Sequence, residues 1–418
     1  MKLLIISNTP WDNANSFGNT FTNLFFKMPD VEIYNICCRD GKQNNQVVKR
    51  AVQFTDKRVL KSIYKVNFDP CVEMNMVTDN VEEKDDMFSY ATKTRRPIFF
   101  WARHLIWLLS NYSKSKKLNS FLEEINPDVI YLPIYAIPHI SNLQSYIIKK
   151  LNIPVVGHIS DDVCGIPPTS NIIIKLYRTL AKKKAEGIIK RCNYLEVFAE
   201  NMAEEYEKRY NKKCYLIGKG IDTSTIKPEE LAVDASKQLN FVYTGNLSAE
   251  RFETLINLSK ALKNNAAVLN VYSATPISID MSNQIASLDN ICFHGKIDKT
   301  QVEQVQNDAD FLVHVEGFSK QAIYDAKMSF STKIIDYMQK NKPIFAVGDI
   351  AINSIRVLKD RELAIVATNQ EEIGEKVNQI FTDVINYKSI QDNIYNFLID
   401  RDIVKIQEEM LNRMKNLI

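Results

Sequence analysis

Four residues, Ser331, Thr332, Lys333 and Asp336, bring anion-binding and hydrogen-bonding groups together within two helical turns. The two hydroxyl residues stand where a helix is predicted to begin, and backbone N–H groups at a helix N-terminus favour anions. Lys333 adds a positive charge to the same turn, and Asp336 offers a carboxylate to the hydroxyls of a ribose. This set suits a ligand that carries both phosphate and sugar. The alternative from the pattern alone is an ordinary capped helix whose lysine and aspartate are solvated.

A strand–helix–strand pattern positions these four residues. Residues 311–315 form a mostly apolar run short enough for a buried strand, and Ser331 is a suitable N-cap for the helix that follows. Pro343 ends that helix, and the apolar residues 344–347 predict the next buried strand. The unit is therefore βαβ. Its loop lies at the carboxyl end of a parallel strand, where ligands bind in open α/β sheets.

Length and composition limit the classes of protein to consider. A chain of 418 residues predicts two domains of roughly 150–200 residues each. Because the chain has 12 glycines where average usage would give roughly 29, a glycine-rich phosphate loop is not expected, and neither the P-loop pattern nor Gly-x-Gly-x-x-Gly occurs. A net charge of +3 gives no argument for nucleic acid as a partner.

The cysteines and the apolar runs predict where the protein works. Seven cysteines without a Cys-x-x-Cys pair favour a reduced, cytoplasmic protein. The first residues enter a strand pattern directly, so we expect no signal peptide. Since no apolar run approaches the 18 or so residues of a spanning helix, we expect no transmembrane segment.

Polar residues also stand near strand ends in the first half of the chain. Residues 2–7 are an apolar strand, and the polar turn after it contains Gly18 before a second strand at 31–36. A later strand ends in His158 and Asp161. This order predicts a Rossmann-like domain whose polar strand ends face a ligand. The adjacent aspartates at 161–162 have few other potential ligands nearby, so we predict no metal site.

Two further segments of the first half have open interpretations. Residues 40–95 are polar and lack a clear pattern, with a charge run at 82–86, and are predicted to be a long irregular insertion. Residues 95–117 combine aromatic and basic side chains. They predict either an amphipathic helix that contacts an anionic membrane or, as we prefer, a core helix with a basic outer face.

The segment 331–344 resembles the nucleotide-sugar motif of GT-B glycosyltransferases of the family 4 type. In that family a helix reading Lys-x-x-Glu, followed by Gly-x-Pro, binds the donor nucleotide, and its acid holds the ribose. Asp336 takes the place of that glutamate, and Pro343 stands seven residues later. Asn341 replaces the usual glycine, and Met328 stands where the family often has a second glutamate. The nearby acid that could substitute is Glu316.

The resemblance extends to residues 214–222, 241–251 and 291–297. It implies that Gly245 and Asn246 form the first donor loop, that Arg251 neutralises the donor pyrophosphate, and that His294 and Gly295 contact the base or ribose. Gly18 would then line the donor phosphates from the first domain. The catalytic roles fall to Glu316, which would stabilise charge on the sugar, and to His158 or Asp161, which would orient it.

As a whole, the resemblance implies an α/β protein of the GT-B fold, with two Rossmann-like, doubly wound domains facing a central cleft. The predicted domains are an acceptor domain at 1–200, a nucleotide-sugar donor domain at 201–390, and a C-terminal helix at 391–418 that returns to the first domain. The expected reaction moves a sugar from a UDP- or GDP-sugar to a hydroxyl of a glycan or lipid-linked acceptor, with retention.

No metal and no cofactor is expected beside the donor, because Arg251, Lys333 and helix N-termini would supply the positive charge. The expected location is the cytoplasm, with peripheral membrane contact through 95–117 as an open possibility. Two other functions remain open. One is a non-catalytic GT-B subunit that binds a partner glycosyltransferase or an acceptor protein, and the other is a sugar-nucleotide epimerase.

Overall fold

The computed structural model describes residues 1–74, 97–169, 171–227, 233–382 and 385–418. The chain divides into two compact units. The first comprises Met1–Gly220 together with Ile403–Ile418, and the second comprises Ile221–Asp402.

The first unit is built on an eight-stranded sheet. Its strands are β1 (Lys2–Ser7), β2 (Glu32–Cys37), β3 (Val48–Phe54), β4 (Cys71–Glu73), β5 (Val129–Pro133), β6 (Val155–Ile159), β7 (Tyr194–Val197) and β8 (Cys214–Leu216). They lie in the order β4-β3-β2-β1-β5-β6-β7-β8. Only the β3–β4 pair is antiparallel among the described pairings, so ligand-binding loops are expected along one carboxyl edge.

Helices connect these strands in the alternating pattern of an α/β fold. In chain order they are α1 (Ser16–Phe25), α2 (Asp56–Tyr64), α3 (Pro97–Leu109), α4 (Lys116–Ile125), α5 (Pro138–Leu151), α6 (Ile172–Ile189) and α7 (Glu200–Tyr210). Three of them end on an asparagine in the left-handed conformation, namely Asn126, Asn152 and Asn211. Asparagine tolerates this conformation better than most residues, which is how a glycine-poor chain caps its helices.

The second unit has a six-stranded parallel sheet. Its strands are β9 (Leu239–Thr244), β10 (Ala267–Tyr272), β11 (Ile291–Gly295), β12 (Phe311–Val315), β13 (Ile344–Val347) and β14 (Ile365–Ala367), in the order β11-β10-β9-β12-β13-β14. Its helices are α8 (Arg251–Leu262), α9 (Ile279–Ala286), α10 (Lys299–Asn307), α11 (Lys320–Ala326), α12 (Thr332–Met338), α13 (Asn353–Asp360), α14 (Glu372–Phe381) and α15 (Tyr387–Ile399). The predicted α/β class with two Rossmann-like domains is confirmed.

Central strands of both sheets are buried on both faces, which explains why they read as continuous apolar runs. In the first unit, the four residues Leu3 to Ile6 of β1 are fully buried. In the second unit, the rings of Phe241 on β9 and Phe311 on β12 stack with centroids 4.6 Å apart. These strands fix the position of the loops that follow them.

The last helix, α16 (Ile403–Lys415), belongs to the first unit and packs against α1. Gln407 Nε2 donates to the carbonyl oxygen of Asn23 at 3.0 Å, and Met410 and Met414 are fully buried in the core of that unit. The chain therefore leaves the first unit after residue 220 and re-enters it at residue 403.

Several predicted boundaries differ from the structure. The segment 40–95, predicted to be irregular, contains β3, α2 and β4; its charge run at 82–86 lies outside the described residues. The unit boundary falls after residue 220 rather than 200, because β8 pairs with β7 and so keeps the connecting helix α7 in the first unit. The last predicted helix is divided into α15 and α16, and only α16 joins the first unit.

None of the helices within the described residues has the length and apolarity needed to cross a lipid bilayer.

Candidate functional site

In the second unit, the turn after β9 passes close to the side chains of Lys333, on α12, and Tyr243, on β9 itself. A Cβ atom on Gly245 would lie 2.5 Å from Lys333 Nζ and 2.7 Å from the Tyr243 hydroxyl oxygen. Any other residue there would displace the ammonium group or the tyrosine. The Tyr243 hydroxyl donates to the carbonyl oxygen of Asn246 at 2.5 Å and so stabilises the turn. Glycine at 245 thus leaves room for the Lys333 ammonium group and the Tyr243 hydroxyl.

Arg251, the first residue of α8, is held by groups from two loops. Its Nε and Nη2 atoms lie 3.0 and 2.7 Å from the same carboxylate oxygen, Oε2 of Glu316, and its Nη1 donates to Asn246 Oδ1 at 2.7 Å. Glu316 follows β12 directly and is only 5% exposed. The predicted phosphate ligand Arg251 and the predicted catalytic acid Glu316 therefore form a largely buried ion pair, in which two guanidinium nitrogens contact one carboxylate oxygen.

Burial sets the protonation of the groups around this pair. Burial raises the pKa of Glu316, and the charge and hydrogen bonds of Arg251 act against that rise. Burial also lowers the pKa of His314 to about 3, with help from Lys333 and Arg251, so its ring is neutral at pH 7. The contact of 3.6 Å between His314 Nε2 and Glu316 Oε1 is therefore not an ion pair. The cation that contacts Glu316 directly is Arg251.

Lys333 brings a second positive charge to the same place. Its Nζ lies 3.4 Å from the carbonyl oxygen of Thr244 and 5.7 Å from the centroid of the Tyr243 ring. Burial, and then repulsion by Arg251, lower the pKa of Lys333 from 10.5 to about 8. The side chain is still mostly charged at pH 7. Two cations thus share the nearby carboxylate of Glu316, and an anionic ligand would relieve their repulsion.

Helix α12 starts at the predicted N-cap, and the contacts of that N-cap differ from an ordinary side-chain cap. Ser331 is the N-cap, but its side chain makes no capping hydrogen bond, and its backbone N–H donates to Ser354 Oγ at 2.9 Å. That N–H is therefore occupied. Thr332, the first helical residue, and Asp336, one turn later, are half-buried. The charge of Asp336 acts on Lys333 and partly offsets the fall in its pKa.

Asn341 stands where the motif that this segment resembles has glycine. Asn341 adopts a φ of 51°, in the left-handed region where glycine is otherwise preferred. The turn between α12 and β13 can therefore form without glycine. This departure from the motif changes the side chain and leaves the conformation intact.

His294 and Gly295 lie at the end of β11, on the outer side of the same sheet. The exposed ring of His294 stacks on Tyr272 with a centroid distance of 4.5 Å and an interplanar angle of 13°. Its Nε2 atom is 2.7 Å from Asn270 Oδ1. Gly295 has a φ of 73°, which accounts for glycine at that position. The stacked pair lies at the strand end, with the His294 ring exposed and Tyr272 half-buried.

The sequence did not single out the buried residues that connect α12 and α10 to the end of β9. The hydroxyl of Tyr337 lies 3.0 Å from Thr244 Oγ1, and Gln306 Nε2 donates to the same oxygen at 2.8 Å. These bonds tie α12 and α10 to the end of β9. The position of Tyr337, immediately after Asp336 in the motif, was the one signal that pointed to it.

In the first unit, His158 is enclosed. It is 3% exposed, its Nδ1 lies 3.0 Å from the Tyr131 hydroxyl, and the rings of Phe21 and Phe198 pack edge-on against it. Burial lowers its pKa to about 3. The imidazole is therefore enclosed in this structure, and its role in orienting a sugar stays a prediction.

The other two predicted residues of the first unit differ in their surroundings. Asp161 is exposed in the loop after β6, whereas the neighbouring Asp162 accepts hydrogen bonds from Cys164 N, Gly165 N and the Tyr206 hydroxyl. Gly18 lies in α1, where a Cβ atom would be 2.0 Å from a backbone oxygen of the preceding loop. Close packing explains this glycine without a ligand.

The structure therefore brings Gly245, Asn246, Arg251, Glu316 and Lys333 together at the carboxyl edge of the second sheet. Asp336 belongs to the same helix as Lys333, and His294 with Gly295 occupies the end of another strand of the same sheet. Within the described residues, no group of three or more His, Cys, Asp or Glu side chains is arranged to hold a metal ion.

Several solved structures share this architecture over the whole chain. Anabaena HepE in complex with UDP superimposes with a TM-score of 0.65 at 13% identity, covering 100% of both chains. The galactosyltransferase WaaB of the lipopolysaccharide outer core superimposes with a TM-score of 0.62 at 13% identity, again covering 100% of both. Sucrose-phosphate synthase from Thermosynechococcus elongatus gives a TM-score of 0.61 at 13% identity, with 100% of this chain and 98% of that chain covered.

The chain has the GT-B fold. No protein-family model and no curated protein sequence matches it. At 13% identity, the GT-B neighbours establish the fold and leave the reaction to be inferred from the site.

Proposed function

We propose that this GT-B protein transfers a sugar from a nucleotide-diphosphate sugar to a hydroxyl group. The observation that carries the proposal is the pair of cations, Arg251 and Lys333, at the carboxyl edge of the second sheet, with Glu316 as their shared carboxylate. Paired cations at this edge suit a diphosphate. The HepE structures, in which UDP, UDP with glucose, or UDP-glucose is bound, support a nucleotide sugar as the ligand.

The two cations would act on the leaving group. As the bond between the sugar and the diphosphate breaks, negative charge grows on the departing oxygen, and fixed positive groups stabilise that charge. Arg251 is oriented in advance by Glu316 and Asn246, so little reorganisation is needed. Lys333 is partly desolvated, which strengthens its attraction to phosphate. With both groups present, we propose that transfer does not require a metal ion.

Other residues are proposed to hold the rest of the donor. Asp336 would accept hydrogen bonds from the ribose, since it lies one turn beyond Lys333 on α12. The stacked rings of His294 and Tyr272 would offer an edge or face to the nucleotide base. Glu316 would fix Arg251 and stabilise positive charge on the sugar. Retention of the anomeric configuration is part of the proposal and rests on the resemblance to family 4.

The acceptor is proposed to be a hydroxyl of a glycan or of a lipid-linked intermediate, bound by the first unit. This part rests on the resemblance and on the neighbour WaaB, a galactosyltransferase of the lipopolysaccharide outer core. Asp161, exposed after β6, is the residue of that unit proposed to contact the transferred sugar.

A thermal-shift series with nucleoside diphosphates tests the donor site. We expect one nucleotide to raise the melting temperature, with and without EDTA, because a ligand that binds only the folded state stabilises it. Asp336→Ala and Arg251→Gln should abolish the shift. Arg356→Gln, which alters a partly buried arginine of α13 in the same unit, serves as the matched control and should retain it.

Two outcomes would redirect the proposal. If no nucleoside diphosphate or nucleotide sugar shifts the melting temperature, the donor site is absent and a non-catalytic subunit becomes the better account. If a nucleotide binds but free donor is converted without change of mass and without acceptor, the protein is an epimerase rather than a transferase.

A further inference from the structure

The outer face of α3 is apolar. Ile98, Leu105 and Leu109 are 67%, 52% and 67% exposed, and their spacing of seven and four residues places them on one side of the helix. Leu108, 51% exposed, lies beside them, and Ala102 is exposed between them. A surface helix of a globular domain normally turns polar residues outward. The basic outer face predicted for a core helix in 95–117 is therefore not found on α3, which is the described part of that segment up to residue 109.

The inner face of the same helix is fixed by polar contacts. Arg103 Nε lies 2.9 Å from Asp56 Oδ1, and Trp107 Nε1 donates to the same oxygen at 2.8 Å. Asp56 is 5% exposed, and Trp107 is 1% exposed. A rotation of α3 that buried its leucines would break these buried bonds. The apolar face is therefore held outward by the structure of the first unit.

The first turns of α6 continue this apolar surface. Trp101 Nε1, on α3, lies 3.3 Å from the carbonyl oxygen of Ile173, and the Trp101 ring packs edge-on against Tyr177. Beside that contact, Ile172, Ile173 and Leu176 are 71%, 51% and 58% exposed. We refer to these three residues together with Ile98, Ala102, Leu105, Leu108 and Leu109 as the α3–α6 face.

Helix α6 places basic residues beside the α3–α6 face. Helix α6 carries five basic residues, Lys175, Arg178, Lys182, Lys183 and Lys184. Its one acidic residue, Glu186, accepts a hydrogen bond from Tyr210 at 3.1 Å, and α3 contains no acidic residue. Lys175 and Arg178, next to the exposed Leu176, are themselves exposed. An apolar strip with a basic border, and with no acidic residue on either outer face, suits a partner surface with an apolar layer beneath negatively charged groups.

We propose that the α3–α6 face docks on the surface of an anionic lipid bilayer. The leucines and isoleucines would enter the boundary between headgroups and acyl chains, while Lys175 and Arg178 would contact anionic headgroups. A contiguous exposed apolar surface of this kind marks an interaction site. A second copy of the chain is a poorer partner, because a symmetric contact would bring the basic borders of two such faces together. This inference is independent of the donor site in the second unit.

Sedimentation of the full chain with lipid vesicles tests the proposal. Vesicles that contain phosphatidylglycerol with phosphatidylcholine should bind the protein, vesicles of phosphatidylcholine alone should bind it much more weakly, and added salt should weaken the binding. The double variant Leu105→Gln, Leu109→Gln should lower the partition coefficient about tenfold or more, since two exposed apolar side chains are lost. Charge reversal, Lys175→Glu with Arg178→Glu, should lower it by about tenfold or more.

Controls distinguish docking from general stickiness. Ile279→Gln removes an apolar side chain that is 84% exposed on α9 of the second unit and should leave binding unchanged. The altered residues are exposed, so melting temperatures and the binding of nucleoside diphosphates should stay at wild-type values. The proposal is overturned if wild-type protein does not bind the anionic vesicles or if the leucine variant binds as well as wild type. It is also overturned if ultracentrifugation finds a dimer that the leucine variant dissociates.

Discussion

Replacing Lys333 with methionine is expected to stabilise the ligand-free protein and to weaken its binding of a nucleoside diphosphate. The ammonium group is partly desolvated and lies near Arg251, which together lower its pKa from 10.5 to about 8. At 1.36 kcal/mol for each pKa unit, the charged ammonium group lowers the free energy of unfolding by about 3 kcal/mol. Methionine has a similar shape without the charge, so the variant should be more stable by up to about 3 kcal/mol at pH 7.

The same reasoning fixes how the effect depends on pH. Between pH 8 and 10.5 the unfolded chain retains the proton on Lys333 while the folded protein releases it, so the wild type gains stability as the pH rises. The advantage of Lys333→Met should therefore shrink from about 3 kcal/mol at pH 7 to about 1.5 kcal/mol at pH 9.5. Lys320→Met, at an exposed position of α11, should show neither effect.

Scanning calorimetry or circular dichroism is the suitable assay. The three tryptophans, Trp11, Trp101 and Trp107, all lie in the first unit, so their fluorescence does not report on the second unit, which contains Lys333. The reasoning is refuted if Lys333→Met is less stable than wild type at pH 7. It is also refuted if the difference between the two proteins is the same at pH 7 and pH 9.5.

Three further predictions concern packing and charge elsewhere in the structure. Glu196 is fully buried and pairs with Arg413 at 3.0 Å, so Arg413→Gln should lower the free energy of unfolding, measured in urea, by about 3–5 kcal/mol. Converting both residues to methionine should recover most of that stability. Gly18→Ala should lower the stability of the first unit by about 1–3 kcal/mol, because the added Cβ would clash with the backbone. Gly187→Ala, at a position of α6 where the Cβ meets open space, should raise the stability by about 0.5–1 kcal/mol in the same assay. Gly245→Ala should weaken the binding of a nucleoside diphosphate, measured by calorimetry, about tenfold or more, because the added Cβ displaces the ammonium group of Lys333. An unchanged affinity would contradict the close packing around Gly245.

Much of the second unit could be predicted from its sequence because its strands are buried on both faces and its motif is local. The run 311–315 and the helix that starts after Ser331 appear where the apolar pattern places them. The left-handed φ of Asn341 shows why one departure from the family motif does not disturb the turn. Spacing along the chain was sufficient for these features.

Contacts between distant segments could not be predicted in the same way. The pairing of Arg251 with Glu316 depends on the order of β9 and β12 in the sheet, which local patterns do not specify. The enclosure of His158 depends on rings from α1 and from the end of β7. In the segment 40–95, β4 has three residues and lies at the edge of the sheet, and β3 carries Lys49, Arg50 and Gln53, so the apolar signal of a strand is weak there.

The central claim is that Lys333 and Arg251 bind the diphosphate of the donor, and proton uptake on binding tests it most directly. Calorimetric titration of the tightest-binding nucleoside diphosphate at pH 8.5, in buffers of different ionisation enthalpy, measures the protons taken up. With a pKa of about 8 in the free protein, Lys333 should take up roughly 0.75 proton as the diphosphate raises that pKa, and Lys333→Met should take up none. Tight binding by wild-type protein without proton uptake, or equal uptake by the variant, would contradict the account.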